Sequence, residues 1–179
     1  MTEVGTVYGG ALYQLAAVEN VEDEILSQLL VLRDSFRENA EFLTLLESPA
    51  LPKAQRCDIL QESFGGVVHP YVLNFLKILT EEGHIRHFSQ CCDTYQRQYN
   101  EDHNILPITA VSAIALSDDQ KTRLTEKLCQ VTGATVRLTN RVDPECLGGI
   151  RLDLDGKRLD DTVAHRLQEI RELLQKTVL

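Results

Sequence analysis

The chain has 179 residues, a formal net charge of −9, 43% hydrophobic and 25% charged residues, proportions that let a globular protein bury a core without metal or disulfide. The acidic excess repels a phosphate backbone and so sets nucleic acid aside as a partner, and no run nears the ~18 consecutive apolar residues of a spanning helix. The opening MTEVGTVYGG has neither the basic flank and apolar run of a secretory signal nor the Arg-rich character of a transit peptide, so a soluble, cytosolic-side chain is expected.

The first half is read as helices throughout. Val4, Val7, Tyr8, Ala11, Leu12 and Leu15 recur at i, i+3, i+4 and i+7, which predicts one apolar stripe. Gly9-Gly10 falls inside that helix, where each glycine costs about 1 kcal/mol relative to alanine; close packing against a neighbour would compensate. Asn20 is placed to cap a second helix with Glu22, Asp23 and Glu24 in its first turn and the stripe Val21, Ile25, Leu29, Leu32 and Phe36. A short third helix carries Phe42, Leu43, Leu45 and Leu46 and stops at Ser48-Pro49. Pro52 opens a fourth that ends at Gly65-Gly66, Pro70 opens a fifth closed by Gly83, and Ile85, Phe88, Cys92, Tyr95 and Tyr99 mark a sixth. The fifth, with Val72, Leu73, Phe75, Leu76, Ile78 and Leu79, has little polar face. It is either a central helix covered on most sides, or one of its sides is covered by another chain.

The second half alternates instead. Ile108, Ala110, Ser112 and Ile114 oppose Thr109, Val111, Ala113 and Ala115, as in a strand. Ser117-Asp118-Asp119-Gln120 has the form of a capping box, and its helix carries Leu124, Leu128 and Val131 and stops at Gly133. Val136, Leu138 and Val142 predict a second strand, Ile150, Leu152 and Leu154 a third, and Asp155-Gly156 a tight turn to Lys157–Asp160. A last helix starts near Asp161 or Thr162, with Val163, Leu167, Ile170 and Leu174 on one side. Charge changes with the pattern: residues 1–104 hold 16 acidic and 7 basic side chains, residues 105–179 eleven of each. The expected organisation is therefore α+β: a helical bundle of six helices over 1–104 and a small β-α-β-β-α domain over 105–179, joined near residues 100–106.

Signatures of chemistry are missing. There is no G-x-x-x-x-G-K-[ST] or G-x-G-x-x-G loop for a nucleotide, no H-E-x-x-H and no G-x-S-x-G. Cys57, Cys91, Cys92, Cys129 and Cys146 form no C-x-x-C, and their odd number fits no closed disulfide set; they read as small buried hydrophobes in a reducing compartment. His84 and His87 share a helix spacing but lack a third ligand, and read as solvated imidazoles. Asp153, Asp155, Asp160 and Asp161 lack the spacing of a calcium loop and fit a turn and a helix start. Gly148-Gly149 fits a bulge or close backbone approach. No catalytic, metal or cofactor site is assigned, which favours an interaction protein.

Three stretches carry a resemblance. VRLTNRVDPECLGGIRLDLDGKRLDDTVAHRLQEI, the strongest of them, VYGGALYQLA and NFLKILTEEGHIRHF resemble the C-terminal signature, first helix and asparagine-led central helix of the delta subunit of F-type ATP synthases, called oligomycin-sensitivity-conferring protein in mitochondria. Gly9, Cys146, His84 and Thr162 depart from the residues usual there. The resemblance implies a non-catalytic stator subunit of the peripheral stalk, without cofactor, on the cytoplasmic face of a bacterial plasma membrane or on a thylakoid membrane. Its N-terminal domain would grip the N-terminal helix of an alpha subunit in a groove between the first and fifth helices. Carried over by position, that groove is Tyr8, Ala11, Leu12 and Leu15 with Val72, Phe75, Leu76 and Leu79. The C-terminal domain would meet the C-terminal region of the b subunits, and membrane association would come through the complex. A cytosolic regulatory or scaffolding protein that binds a partner helix is the alternative.

Overall fold

The computed structural model describes residues 3–48, 50–146, 149–154 and 157–160, and the chain divides into two compact units, Met1–Tyr99 and Asn100–Leu179. Six helices come first along the sequence, and the strands follow with one further helix between the first two of them.

The first unit is built from α1 (Glu3–Glu19), α2 (Glu22–Glu38), α3 (Ala40–Glu47), α4 (Lys53–Phe64), α5 (Pro70–Glu81) and all but the last turn of α6 (Phe88–Asp102), which is entered through a 3-10 turn at Ile85–His87. Their inward faces share one core in which Ala16, Ile25, Leu46, Leu60, Val72, Leu76, Leu79 and Tyr95 have no exposed surface. Phe36 sits at its aromatic centre, its ring centroid 5.8 Å from Phe42, 6.0 Å from Phe64 and 5.1 Å from Phe88. Helix ends follow their local chemistry. Pro52 and Pro70 sit at helix starts, where the missing N–H is no loss, and the His69 ring accepts from the Tyr71 N–H at 3.2 Å. Gly83 ends α5 with φ +70°, its N–H donating to the Thr80 carbonyl while His84 N–H donates to that of Leu79.

Two expectations change here. Asn20 does not cap α2: with φ +56° it closes α1, donating to Ala17 while Val21 donates to Ala16, and Val21 precedes α2 with no side-chain cap. Asparagine tolerates the left-handed region that ends a helix, so it serves either role, and the tertiary fold selects this one. The α1 face also turns over. Its buried residues are Gly5, Gly9, Gly10, Leu12, Tyr13 and Ala16, so of the anticipated stripe only Leu12 is buried, while Val7 and Leu15 are 59% and 42% exposed.

The second unit holds β1 (Ile105–Ser112), α7 (Asp118–Thr132), β2 (Thr135–Val142), β3 (Ile150–Leu154) and β4 (Lys157–Asp160) in a sheet of order β2-β1-β3-β4. β1 and β2 are parallel, joined through α7, and the other pairs are antiparallel. The capping box is formed: Ser117 Oγ accepts from Gln120 N–H at 3.3 Å and Ser117 N–H donates to Gln120 Oε1 at 2.9 Å. Gly133, φ +67°, ends α7. β1 starts earlier than its alternation suggested and stops at Ser112, leaving Ile114 78% exposed. The reason lies across the sheet. Asn140 Nδ2 donates to the Ala110 carbonyl and to Ser112 Oγ, both at 2.9 Å, while its Oδ1 accepts from Leu116 N–H at 2.9 Å. Ser112 Oγ in turn donates to the Ile114 carbonyl at 2.7 Å, which bends the chain out of the strand. The predicted last helix, with Val163, Leu167, Ile170 and Leu174, lies outside the described residues, as do Gly148, Asp155 and Asp161.

Candidate functional site

An apolar groove of about 300 Å³ runs between α1 and α5, lined by Tyr8, Ala11, Leu12 and Leu15 from one side and Tyr71, Asn74, Phe75 and Ile78 from the other. The glycines on the opposite face of α1 put it there. A Cβ on Gly5 would lie 2.9 Å from Gln90 Cβ, and one on Gly9 would overlap the Cys91 carbonyl oxygen. α1 therefore lies flush on α6 through its glycine face. Successive residues turn by about 100°, so Val7, Ala11, Leu15 and Val18 share the side away from α6, and all four are exposed. Near one end of the groove the Tyr8 ring meets the His84 ring edge-on at 6.0 Å.

The sequence-derived set is only partly brought together. Its four α1 residues and Phe75 line the groove. Val72, Leu76 and Leu79 do not: they are fully buried in the core, and Tyr71, Asn74 and Ile78 take their place. Helical spacing identifies apolar faces but cannot tell which of two meets the core when a helix has both. Asn74 was the available signal, since a polar side chain in an otherwise apolar run marks the outward face. The opposite face keeps even Thr80 fully buried, its hydroxyl donating to the Leu76 carbonyl at 2.9 Å.

Other candidate groups are engaged locally. His84 and His87 are half-buried rather than solvated. The Arg86 Nε–H donates to His87 Nε2 at 3.1 Å, and His87 Nδ1 lies 3.2 Å from Gln90 Oε1. Among the described residues no three His, Cys, Asp or Glu side chains gather as metal ligands. Cys91, Cys92 and Cys146 are buried, Cys57 and Cys129 half-buried, and all five are free thiols. Burial raises the Cys91 thiol to about 11 and pushes Cys92 up further; Cys57 is raised by burial and by its hydrogen bond to Glu81. Thiols shifted this way are poor nucleophiles at neutral pH. Asp153 pairs with Arg151 at 3.4 Å. No helix among the described residues is long and apolar enough to cross a membrane.

Comparison with known proteins gives the groove its context. The profile of the ATP synthase delta (OSCP) subunit family matches residues 4–174. The chain is 33% identical to the ATP synthase subunit delta of Desulfitobacterium hafniense over 93% of each chain. It is 35% identical to that of Lactobacillus gasseri over 96% of this chain and 94% of the relative, and 32% identical to that of Synechococcus elongatus over 91% of each. Its fold is similar to a chain of the mitochondrial ATP synthase hexamer of Toxoplasma gondii, with a TM-score of 0.76 at 20% identity over 97% of this chain and 98% of that one. The chain thus belongs to the ATP synthase delta (OSCP) subunit family, as a stator subunit peripheral to the membrane-bound synthase.

Proposed function

We propose that the α1–α5 groove holds an amphipathic helix from the N-terminus of an alpha subunit, so that the first unit clamps the top of the catalytic head. The observation that carries this reading is the outward apolar face of α1. Val7, Ala11, Leu15 and Val18 are exposed, and the face continues into a groove walled by Tyr71, Phe75 and Ile78. A contiguous apolar strip of this kind on a soluble surface marks an interaction site. Helix-in-groove docking uses anchors at i, i+3, i+4 and i+7, and the small Ala11 lets a partner backbone approach. The acidic first half favours a partner bearing Lys or Arg, which speeds encounter more than it tightens binding.

In this reading residues 1–104 are a six-helix bundle, and residues 105–179 form a second domain that meets the C-terminal region of the b subunits. The protein carries force rather than chemistry: it holds the head against the torque of the central stalk, on the cytoplasmic face of a bacterial plasma membrane or on a thylakoid membrane. Without it, ATP hydrolysis continues while coupling to proton flow fails. The test is calorimetric titration of the intact chain with a synthetic peptide of the same organism's alpha-subunit N-terminus. One-to-one binding with a negative heat-capacity change, abolished by Ala11→Arg, is expected; a folded chain that binds no peptide removes the groove assignment.

A further inference from the structure

A second concavity in the first unit has the opposite electrostatic character. Its volume is about 380 Å³, and Phe36, Leu43 and Phe88 form an apolar floor beneath Arg33, Arg37 and Arg86, with no acidic residue in the lining. The charge is concentrated: the first 99 residues hold 14 Asp and Glu against 7 Lys and Arg, and three of the seven ring this one site. Of the others, Arg56 is buried and donates to the Leu46 carbonyl at 2.8 Å, and Lys77 donates to Gln61 at 2.7 Å.

The three guanidiniums are held but not used up. Arg33 Nη1 contacts Asp93 at 3.1 Å, with Arg33 half-buried and Asp93 exposed, and Arg37 Nη2 contacts Asp34 at 3.4 Å in an exposed pair, while Arg86 directs its Nε–H to His87. A guanidinium has five N–H donors, and both partner carboxylates stand in solvent, where screening weakens such pairs, so an incoming carboxylate can share or replace them. The floor is preformed, because Phe36 and Phe88 pack at 5.1 Å and are buried within the core.

We propose that this concavity docks an acidic amphipathic protein segment, one that presents two carboxylates a helical turn apart on either side of an aromatic or leucine anchor. Arg33 and Arg37 are four residues apart on α2, and so stand on one face about 5–6 Å apart at Cβ, the spacing of carboxylates at i and i+4 on a partner helix. Arginine forks match carboxylates in two-point geometry. The anchor takes the floor, in a volume near the lower end of the ~300–1,000 Å³ of ligand sites. A nucleotide fits less well, since its phosphates want a backbone N–H cradle and the charge here is spread along a rim. The site is independent of the α1–α5 groove and asks for a partner of opposite sign.

The experiment is fluorescence anisotropy of the intact chain with a labelled helical peptide carrying Glu at i and i+4 around a Phe-Leu anchor. Parallel arms use a Gln-for-Glu peptide, an Ala-for-anchor peptide and inorganic pyrophosphate. Binding should weaken about tenfold or more in Arg37→Gln/Arg86→Gln, by a similar factor in both altered peptides, and with added salt, while Lys53→Gln, at an exposed basic residue that lines neither cavity, leaves it unchanged. Both arginines are at the surface, so unchanged far-ultraviolet dichroism will show that the variant folds. The proposal is overturned if the wild-type chain does not bind the acidic peptide, if the double variant or the Gln peptide binds equally well, or if the anchor is dispensable and pyrophosphate competes fully, which would leave a bare anion site.

Discussion

Gly9 of α1 lies directly on the Cys91 carbonyl oxygen of α6, with no room between them for a Cβ. This one contact decides which way α1 faces. Because the glycine side must meet α6, the side carrying Val7, Ala11 and Leu15 is turned out, and a helix that looks internally apolar becomes the wall of a groove.

Gly9→Ala should therefore destabilise the protein although alanine is the better helix former. The propensity gain is about 1 kcal/mol, whereas forcing α1 off a backbone neighbour is overpacking that costs about 1–3 kcal/mol, and Gly9→Val should cost more. Gly66 is the control: a Cβ there meets nothing, but its φ of +79° alone makes a side chain unfavourable. Denaturant midpoints read both. A Gly9→Ala chain as stable as wild type would mean that α1 is free to shift outward.

Two apolar positions should separate core from groove. Leu76 is fully buried, so Leu76→Ala should cost about 2–5 kcal/mol of stability. Ala11 is exposed on the groove wall, so Ala11→Arg should leave stability within about 0.5 kcal/mol and abolish binding of the alpha-subunit peptide. Thermal unfolding paired with calorimetric titration distinguishes them, and a reversed pattern would return Leu76 to the contact surface.

Alkaline pH should unfold the first unit. Tyr95 is fully buried, with its ring edge-on to Tyr13 at 5.2 Å and its hydroxyl donating to the Glu22 carbonyl at 3.1 Å. Burial first, then the Glu22 charge, raises its hydroxyl far above 10.0, and burial raises Cys91 to about 11 from 9.0. Each group is held protonated in the folded state, so its contribution is complete below the unfolded value. It is lost as pH rises past about 9 for the thiols and 10 for the phenol, at up to about 1.4 kcal/mol per pH unit and group. The denaturation midpoint should be flat from pH 7 to about 8.5 and then fall, less steeply in Tyr95→Phe. An equal slope in that variant would show that Tyr95 does not drive the loss.

Asn140 should matter more than its half-buried position suggests. Its amide bonds Ala110, Ser112 and Leu116, and Asn140→Ala leaves those groups unmatched, at about 1–3 kcal/mol. Asn140→Asp keeps the acceptor for Leu116 N–H but sets a charge against the Ala110 carbonyl, and should be no better than alanine. Chemical denaturation of the two variants checks this, and a milder aspartate variant would mean that the Leu116 bond dominates.

Sequence alone determined the helices of the first half, the capped helix after Ser117 and the strands after it, because each is written in local signals: proline and glycine punctuation, a capping box, periods of 3.6 and 2. The family resemblance suggested a groove between the first and fifth helices, and the cavity there is lined by the four α1 residues it named and by Phe75. What the sequence left open was orientation. Val72, Leu76 and Leu79 repeat as regularly as Tyr71, Asn74 and Ile78, and periodicity is the same whether a face meets a core or a partner. Asn20 has the chemistry to start one helix or end another, and the strand before Ser117 ends where Asn140, 28 residues beyond Ser112, bonds across to it. Only the packed structure decides such matters, since each depends on what another segment of the chain brings alongside: the backbone of Cys91 against Gly9, the core against Leu76, an amide against Ser112.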